Sequence, residues 1–377
     1  MRYTSAAALE MAVKSAASAS PMDTGRAVSA FCFHRLLCRV FAGGNGSFVL
    51  KGGRAMLART VDARATRDID LLSTEGSLED ALEELVRLAG TDLGDFVTFE
   101  FAGSRPIKAE DEYRSGLSVG FVPMLGAKRM QPVSVDLVVD EVPLEGAERI
   151  SPADRIEVDG LETCDYLVYP VEAALADKLC GIVEAHGERA SSRVKDLVDI
   201  AVYATTTTVD GSGFQSRLRR EASARRIFLG DSFGLPKAWG APQARQYAKL
   251  CQRTGLPEAL RNMEAASELA GRLLDPAIRG EAGGRRWNPV FGNGFLDILA
   301  ARFRQSGKRT ADVSDFCLPE HQGLVHPLAR AVELDESSMV DHPVDHRGGK
   351  LVVAQDRSPF AELDVGGEHH ASLLVAC

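Results

Sequence analysis

At 377 residues, with 45% hydrophobic and 26% charged side chains, the chain is long enough for two or three domains and apolar enough to bury a sizeable core. A formal net charge of -9 and a pI near 5.5 exclude a polycation that coats nucleic acid over its whole surface, so any such contact has to come from a local basic patch. The seven cysteines are odd in number, scattered and without a CxxC pair, which argues against a disulfide framework or a structural zinc site and for a reducing cytoplasm.

No apolar stretch approaches the length of a membrane span, and the start "MRYTSAAALEMAVKSAASASPMD" has no continuous apolar run, so neither export nor membrane anchoring is expected. Its Ser and Ala content would suit a transit peptide; Glu10 and the scarcity of arginine oppose that. Residues 24 to 41, "TGRAVSAFCFHRLLCRVF", carry apolar residues at helical spacing and end at the turn cluster "AGGNGS". "SFVL" then reads as a short buried strand, Gly52-Gly53 as a tight turn and "RAMLART" as the beginning of a helix. "TRDIDLL" is the next strand, and "SLEDALEELVRLA" an amphipathic helix.

Between residues 96 and 140 the pattern turns to period two, in "FVTFEF", "LSVGFVPM" and "VSVDLVVD", as in neighbouring strands of one sheet. From "YPVEAALADKLCGIVEAHG" to about residue 304 it is mostly helical, through "SRVKDLVDIAVYA", "FQSRLRREASARRI", "PQARQYAKLCQRTG" and "LPEALRNMEAASELAGRLLD". An α/β half over 1–165 therefore precedes a helical domain over 166–305. Beyond, residues 306–377 lose periodicity and hold six of the eight histidines, which reads as a disordered or loosely attached tail. A His-rich metal site is the alternative there, but the spacings match no standard ligand pattern.

In a strand, Asp68 and Asp70 project to one side together with Thr66, while Arg67, Ile69 and Leu71 project to the other. Two carboxylates about 7 Å apart on one face repel each other and are close enough to share divalent cations. An Asp-x-Asp that merely faces water is the bland alternative. On "VSVDLVVD", Asp136 shares a face with Ser134, Val138 and Asp140 in an otherwise apolar strand, an expensive place for a lone charge unless the strand is a wet edge. Gly52 and Gly53 join strand to helix, where backbone N-H groups at the positive helix end can hold phosphate oxygens; no Walker motif follows.

Lys178 fills the missing place in the apolar stripe Val171, Ala174, Leu175, Ile182, so it either snorkels to the surface or meets an anion. In "SRVKDLVDI", Val194, Leu197, Val198 and Ala201 face a core while Arg193, Asp196 and Asp199 share another flank. Taken alone, Asp196 there reads as a surface partner of Arg193.

These stretches, "LKGG", "RATRDIDLL", "VSVDLVVD", "YPVEAALADK" and "RVKDLVDIAVYA", resemble, in order over about residues 48 to 204, the nucleotidyltransferases of the AbiEii/AbiGii toxin family, including its MenT-like members. The resemblance implies an α+β fold: a mixed-sheet, polymerase-β-like nucleotidyltransferase core followed by a helical C-terminal domain. It implies that Gly52 and Gly53 lie beside the triphosphate of an NTP, that Asp68 and Asp70 ligate Mg2+, and that Arg64 and Thr66 border the nucleotide. It further implies that Lys178 contacts phosphates, that Asp196 completes the site, and that Asp136 supplies the remaining carboxylate, with Asp140 as its competitor. Asp177 stands where the family usually has glutamate.

MenT-type members add nucleotides to the 3' end of tRNA and are encoded with an antitoxin, so both are implied partners. Arg217, Arg219, Arg220, Arg225 and Arg226, packed in "RLRREASARR", would serve RNA binding; a solvated helix face or a contact for an acidic antitoxin fits the same residues. Two other readings remain beside the toxin enzyme: a small-molecule nucleotidyltransferase of the antibiotic-modifying kind, and a nucleotide- or antitoxin-binding module without turnover.

Overall fold

A computed structural model describes residues 3–74, 76–107, 114–140, 145–184, 191–289 and 295–297, all within one compact unit spanning Met1–Arg309. The expected tail over 306–377, with its histidines, lies outside the described residues. In chain order the elements are α1 (Ala6–Ala19), α2 (Thr24–Val40), β1 (Phe48–Lys51), α3 (Gly52–Arg59), β2 (Asp68–Ser73), α4 (Leu78–Ala89), β3 (Val97–Pro106), β4 (Arg114–Leu125), β5 (Lys128–Arg129), β6 (Val133–Asp140), β7 (Glu148–Ile150) and β8 (Tyr166–Val168). There follow α5 (Val171–Val183), α6 (Val194–Thr206), β9 (Val209–Asp210), α7 (Gly211–Ala224), α8 (Ala241–Cys251), α9 (Met263–Ile278), β10 (Arg285–Trp287) and β11 (Phe295–Asp297).

Short polar caps start several helices where the apolar periodicity begins: Asp23 accepts from the Arg26 amide, Ser77 from Asp80, Asp210 from Gly213 and Asn262 from Ala265. Helix α1 is not among the elements expected from the sequence, although Leu9, Val13 and Ala17 recur every fourth residue and are its buried face. Alanines all round that segment leave the stripe with little contrast.

The main sheet runs β3-β4-β6-β2-β1-β8-β7, with β5 beside β4. It is mixed: β2 pairs parallel with β6 and β1 with β8, whereas β1-β2, β3-β4, β4-β6 and β7-β8 are antiparallel. The mixed α/β sheet with a helical second half is the fold the sequence implies. Strand β6 lies between β4 and β2, so the wet-edge explanation for Asp136 fails; both neighbours take up its backbone groups.

Alternation splits each strand between two cores. Phe48, Leu50, Ile69, Leu71, Val119, Phe121, Val133, Val135 and Leu137 bury against α1, α2 and α4. On the opposite face Val49 and Leu72 meet Leu175 and Leu179 of α5 and Leu197, Val198 and Tyr203 of α6. A three-stranded sheet, β11-β10-β9, closes the helical side, and Trp287 pins it by donating its indole N-H to the Ala204 carbonyl at 2.9 Å. The face that carries Val49 and Leu72 is the one on which Asp70 and Asp136 stand.

Candidate active site

Strand β1 runs directly into α3 at Gly52, so the glycine pair forms the first turn of the helix instead of a separate turn before it. Gly52 has φ +64°, and a Cβ there would strike the Asp70 carboxylate. A Cβ on Gly53 would stand 3.2 Å from Thr66 Cβ and 3.5 Å from Arg64 Nη2. The two glycines are therefore the floor on which Asp70, Thr66 and Arg64 rest. Thr66 lies two residues before β2, outside the strand; its hydroxyl donates to the Asp68 carbonyl at 3.3 Å.

Register does the rest. Asp70 lies opposite Lys51 on β1 and opposite Asp136 on β6, and Asp136 lies opposite Ser118 on β4. Lys51, Asp70, Asp136 and Ser118 thus form one row across four strands, about 4.8 Å apart from strand to strand. Burial raises the Asp70 carboxyl above the usual carboxylate range, and repulsion from Asp136 and Asp68 adds to it, against Lys195 and Lys178. Asp136 is raised as well, first by burial and then by Asp68, with a Ser118 hydrogen bond opposing. Asp68, at the exposed start of β2, opens onto the same cavity. The side chain of Asp140 lies outside the described residues.

Facing this row, the helical side holds a compensated cluster. The Lys178 ammonium, itself buried, donates to Asp199 Oδ2 at 2.6 Å and Asp196 Oδ1 at 3.2 Å. Arg64 forks onto Asp199 at 2.8 and 3.1 Å. Burial opposes the charge on Lys178, but the two aspartates outweigh it and hold the ammonium protonated; Asp199 is held below the usual range because Lys178 and Arg64 outweigh its burial. Asp196 and Asp199 are buried, not a surface flank, and the Arg193 contact to Asp196 is a longer 3.8 Å. Lys178 has three donors, so the two carboxylates leave one for a ligand.

Asp68, Asp70, Asp136, Lys178, Asp196, Gly52, Gly53, Arg64 and Thr66 all line one cavity of about 440 Å³. Lys51 and Lys195 line it too, and sequence reasoning passed over both. Lys51 was legible in principle: it alternates with Val49 onto the site face just before the glycines. Its ammonium lies 3.2 Å from Asp177 and 4.2 Å from the centre of the Tyr169 ring. Asp199 was placed on a flank because its partners, 21 and 135 residues away, leave no trace in local spacing.

The basic run does not stay together. Arg225 is buried on the cavity wall, paired with Glu221, with Asp177 at 2.9 Å and with Glu184 at 3.2 Å, so it does not belong to an outward RNA-binding face. Arg225 caps α7, one turn beyond the buried Glu221, and Asp177 and Glu184 reach it from α5 and its C-terminal end. Arg217 and Arg220 engage Glu145, while Arg219 and Arg226 are exposed.

Among the described residues no three His, Cys, Asp or Glu side chains form a ready-made metal cage. The oxygen donors of Asp68, Asp70 and Asp136 nevertheless fit Mg2+, which binds through one or two carboxylates and completes its shell with substrate phosphates. The mutual repulsion of Asp70 and Asp136 is what a divalent cation would relieve.

The family model described as nucleotidyl transferase AbiEii toxin, type IV TA system, matches residues 35–281. The chain belongs to this family. It is a nucleotidyltransferase of the toxin-antitoxin class, a family that implies an NTP substrate and an antitoxin partner. The match contains every lining residue of the cavity. No curated protein matches the sequence. Similar solved structures include MenT4, the nucleotidyltransferase toxin Rv2826c from Mycobacterium tuberculosis H37Rv, at 15% identity and a TM-score of 0.43, covering 80% of this chain and 93% of that one. JHP933 from Helicobacter pylori is similar at 14% identity and a TM-score of 0.37, covering 68% and 93%. No helix among the described residues is long and apolar enough to cross a membrane.

Proposed function

We propose that this enzyme transfers a nucleoside monophosphate from an NTP to the 3' hydroxyl of an RNA, most directly a tRNA, with release of pyrophosphate, and that its antitoxin restrains this reaction. The observation that carries the reading is the register that sets Asp70 beside Asp136 over the glycine turn, with Lys178 across the cavity.

In this reading Asp68, Asp70 and Asp136 would hold Mg2+. Magnesium bound there supplies positive charge to the reacting and leaving phosphates. The amides at the start of α3, at Gly52 and Gly53, receive phosphate oxygens at the positive helix end. Lys178 directs its remaining donor at the same phosphates, while Asp196 and Asp199 keep its ammonium fixed and charged. Arg64, tied to Asp199 and packed against Gly53, borders the nucleotide with Thr66. Asp136, opposite Asp70 on the neighbouring strand, is the carboxylate placed to take the proton of the attacking hydroxyl. Rigid strands and buried ion pairs hold these groups in line, which is most of what phosphoryl transfer asks of a protein.

Support for an RNA acceptor comes from Arg219, Arg220 and Arg226, which lie outside the cavity on and just beyond the helix whose cap, Arg225, forms part of its wall. The test is to incubate purified protein with total RNA and each α-labelled NTP in turn. Label at RNA 3' ends that disappears with Asp70→Asn is the expected result; label confined to protein or to a small molecule would overturn the RNA acceptor.

A further inference from the structure

On the face of the sheet away from the cavity, two thiols that the sequence separates by 126 residues meet: Cys164 Sγ donates to Cys38 Sγ at 3.0 Å. Cys38 is buried in α2, and Cys164 is half-buried in the segment entering β8, between the exposed Thr163 and Asp165. Two anchors bracket Cys164. Arg35 Nη1 holds the Glu162 carbonyl at 2.6 Å, and the Tyr166 hydroxyl is hydrogen-bonded to His34 Nδ1. Both anchoring side chains sit on α2 within one turn of Cys38, so the helix and the incoming segment are clamped at the thiols. His34 Nε2 lies 3.5 Å from Cys38 Sγ, and Arg35 Nη1 lies 3.7 Å from it. A bond between the sulfurs requires an approach of only about 1 Å.

We propose that Cys38 and Cys164 form a reversible oxidation site, a dithiol that peroxide converts to a disulfide tying α2 to the segment before β8. Hydrogen bonding from Cys164 and from His34 outweighs burial and draws the Cys38 thiol down to about 5, while Cys164 is raised, so Cys38 is the attacking thiolate. Its sulfur attacks one peroxide oxygen; the O-O bond breaks, Cys38 becomes a sulfenic acid and hydroxide leaves. Cys164 sulfur then attacks the sulfenic sulfur, the S-S bond forms, and the sulfenic oxygen leaves as water with the Cys164 proton. Two electrons pass from the thiols to peroxide, and a small thiol reductant reverses the change. Because the bond closes a long loop, the oxidised chain unfolds at a higher temperature.

The test treats the full chain with hydrogen peroxide, blocks free thiols and maps peptides without reduction. A Cys38–Cys164 linked peptide, a mass lower by two hydrogens, a Tm raised by a few degrees and reversal by dithiothreitol are expected. Cys164→Ser should abolish the linkage and leave a sulfenic acid on Cys38 that dimedone traps. Cys38 and Cys164 both remaining alkylatable after peroxide, or either of them linking to a different cysteine, would overturn the proposal. That first measurement uses the unmutated protein, so it decides the matter even if Cys164→Ser fails to fold.

Discussion

On the face of the sheet covered by α2, a buried carboxylate is fully answered: Asp95 accepts from Arg35 at 2.6 Å and from Arg39 at 2.7 Å, and Arg39 also lies over Phe99. On the opposite face, Asp70 and Asp136 lie side by side with their repulsion only partly offset by Lys195 and Lys178. The consequences for protonation run in opposite directions. Burial raises both kinds of carboxyl, but the arginines outweigh it at Asp95 and hold it below the usual range, whereas Asp136 adds to it at Asp70. A cluster whose charges cancel holds the fold together; one whose charges do not cancel is reserved for something that arrives from outside. Lys178 stands between the two cases, being both a buried ion-pair partner and a wall of the cavity.

Breaking the intermediate case should have the largest effect, because it removes both functions at once. Lys178→Met leaves Asp196 and Asp199 facing each other in a buried site. It should cost about 3–5 kcal/mol of stability by urea unfolding and also abolish nucleotidyl transfer. Arg39→Met separates the two functions. It should cost a similar ~3–5 kcal/mol, yet leave transfer per folded molecule unchanged, since its partners lie behind the sheet.

Asp70→Asn is the converse. Transfer should fall by about 10²–10³-fold, the effect of removing one preorganised electrostatic group, while the urea midpoint holds or rises. The pH dependence of stability sharpens the contrast. The folded-state pKa of Asp70 is raised, so its ionisation destabilises the fold, and the cost grows as pH climbs above the ordinary 3.8 through the folded value. The advantage of Asp70→Asn over the unmutated chain should therefore be absent at low pH and increase upward. For Asp95 the folded value is depressed, so its stabilisation is complete above 3.8 and is lost as pH falls through the folded value. The smallest effect belongs to the rim: Arg219→Ala with Arg220→Ala should weaken RNA binding and reduce its salt dependence by about one or two phosphate contacts, with turnover at saturating RNA unchanged.

How much of this could be read from the chain follows from the distance over which each contact is written. Asp68, Asp70 and Asp136 were legible because strand alternation is a local rule, and Lys178 because a lysine interrupted a helical stripe. Asp70 and Asp136 belong to one site because β2 pairs parallel with β6, a crossover that no spacing along either strand encodes. Asp199 looked like half of a polar flank, and became a buried anchor only when Lys178 and Arg64 arrived from other elements. Arg225 was misread for the same reason: five arginines in ten residues suggest a surface, and three carboxylates from elsewhere in the fold and the adjoining turn draw one of them inside. Thr66 lies just outside the strand expected for it, since β2 begins two residues later than the hydrophobic pattern suggests, yet it lines the same cavity.

In the proposed reading the Asp70–Asp136 pair, whose repulsion Lys195 and Lys178 only partly offset, awaits a divalent cation delivered with the nucleotide. The measurement that reaches it most directly is the Tm of the unmutated chain, Asp70→Asn and Asp136→Asn with NTP, in the presence of Mg2+ and of excess EDTA. A magnesium-dependent rise in the unmutated chain that both variants lose is predicted. An equal rise in all three proteins, or the same rise with EDTA, would contradict it.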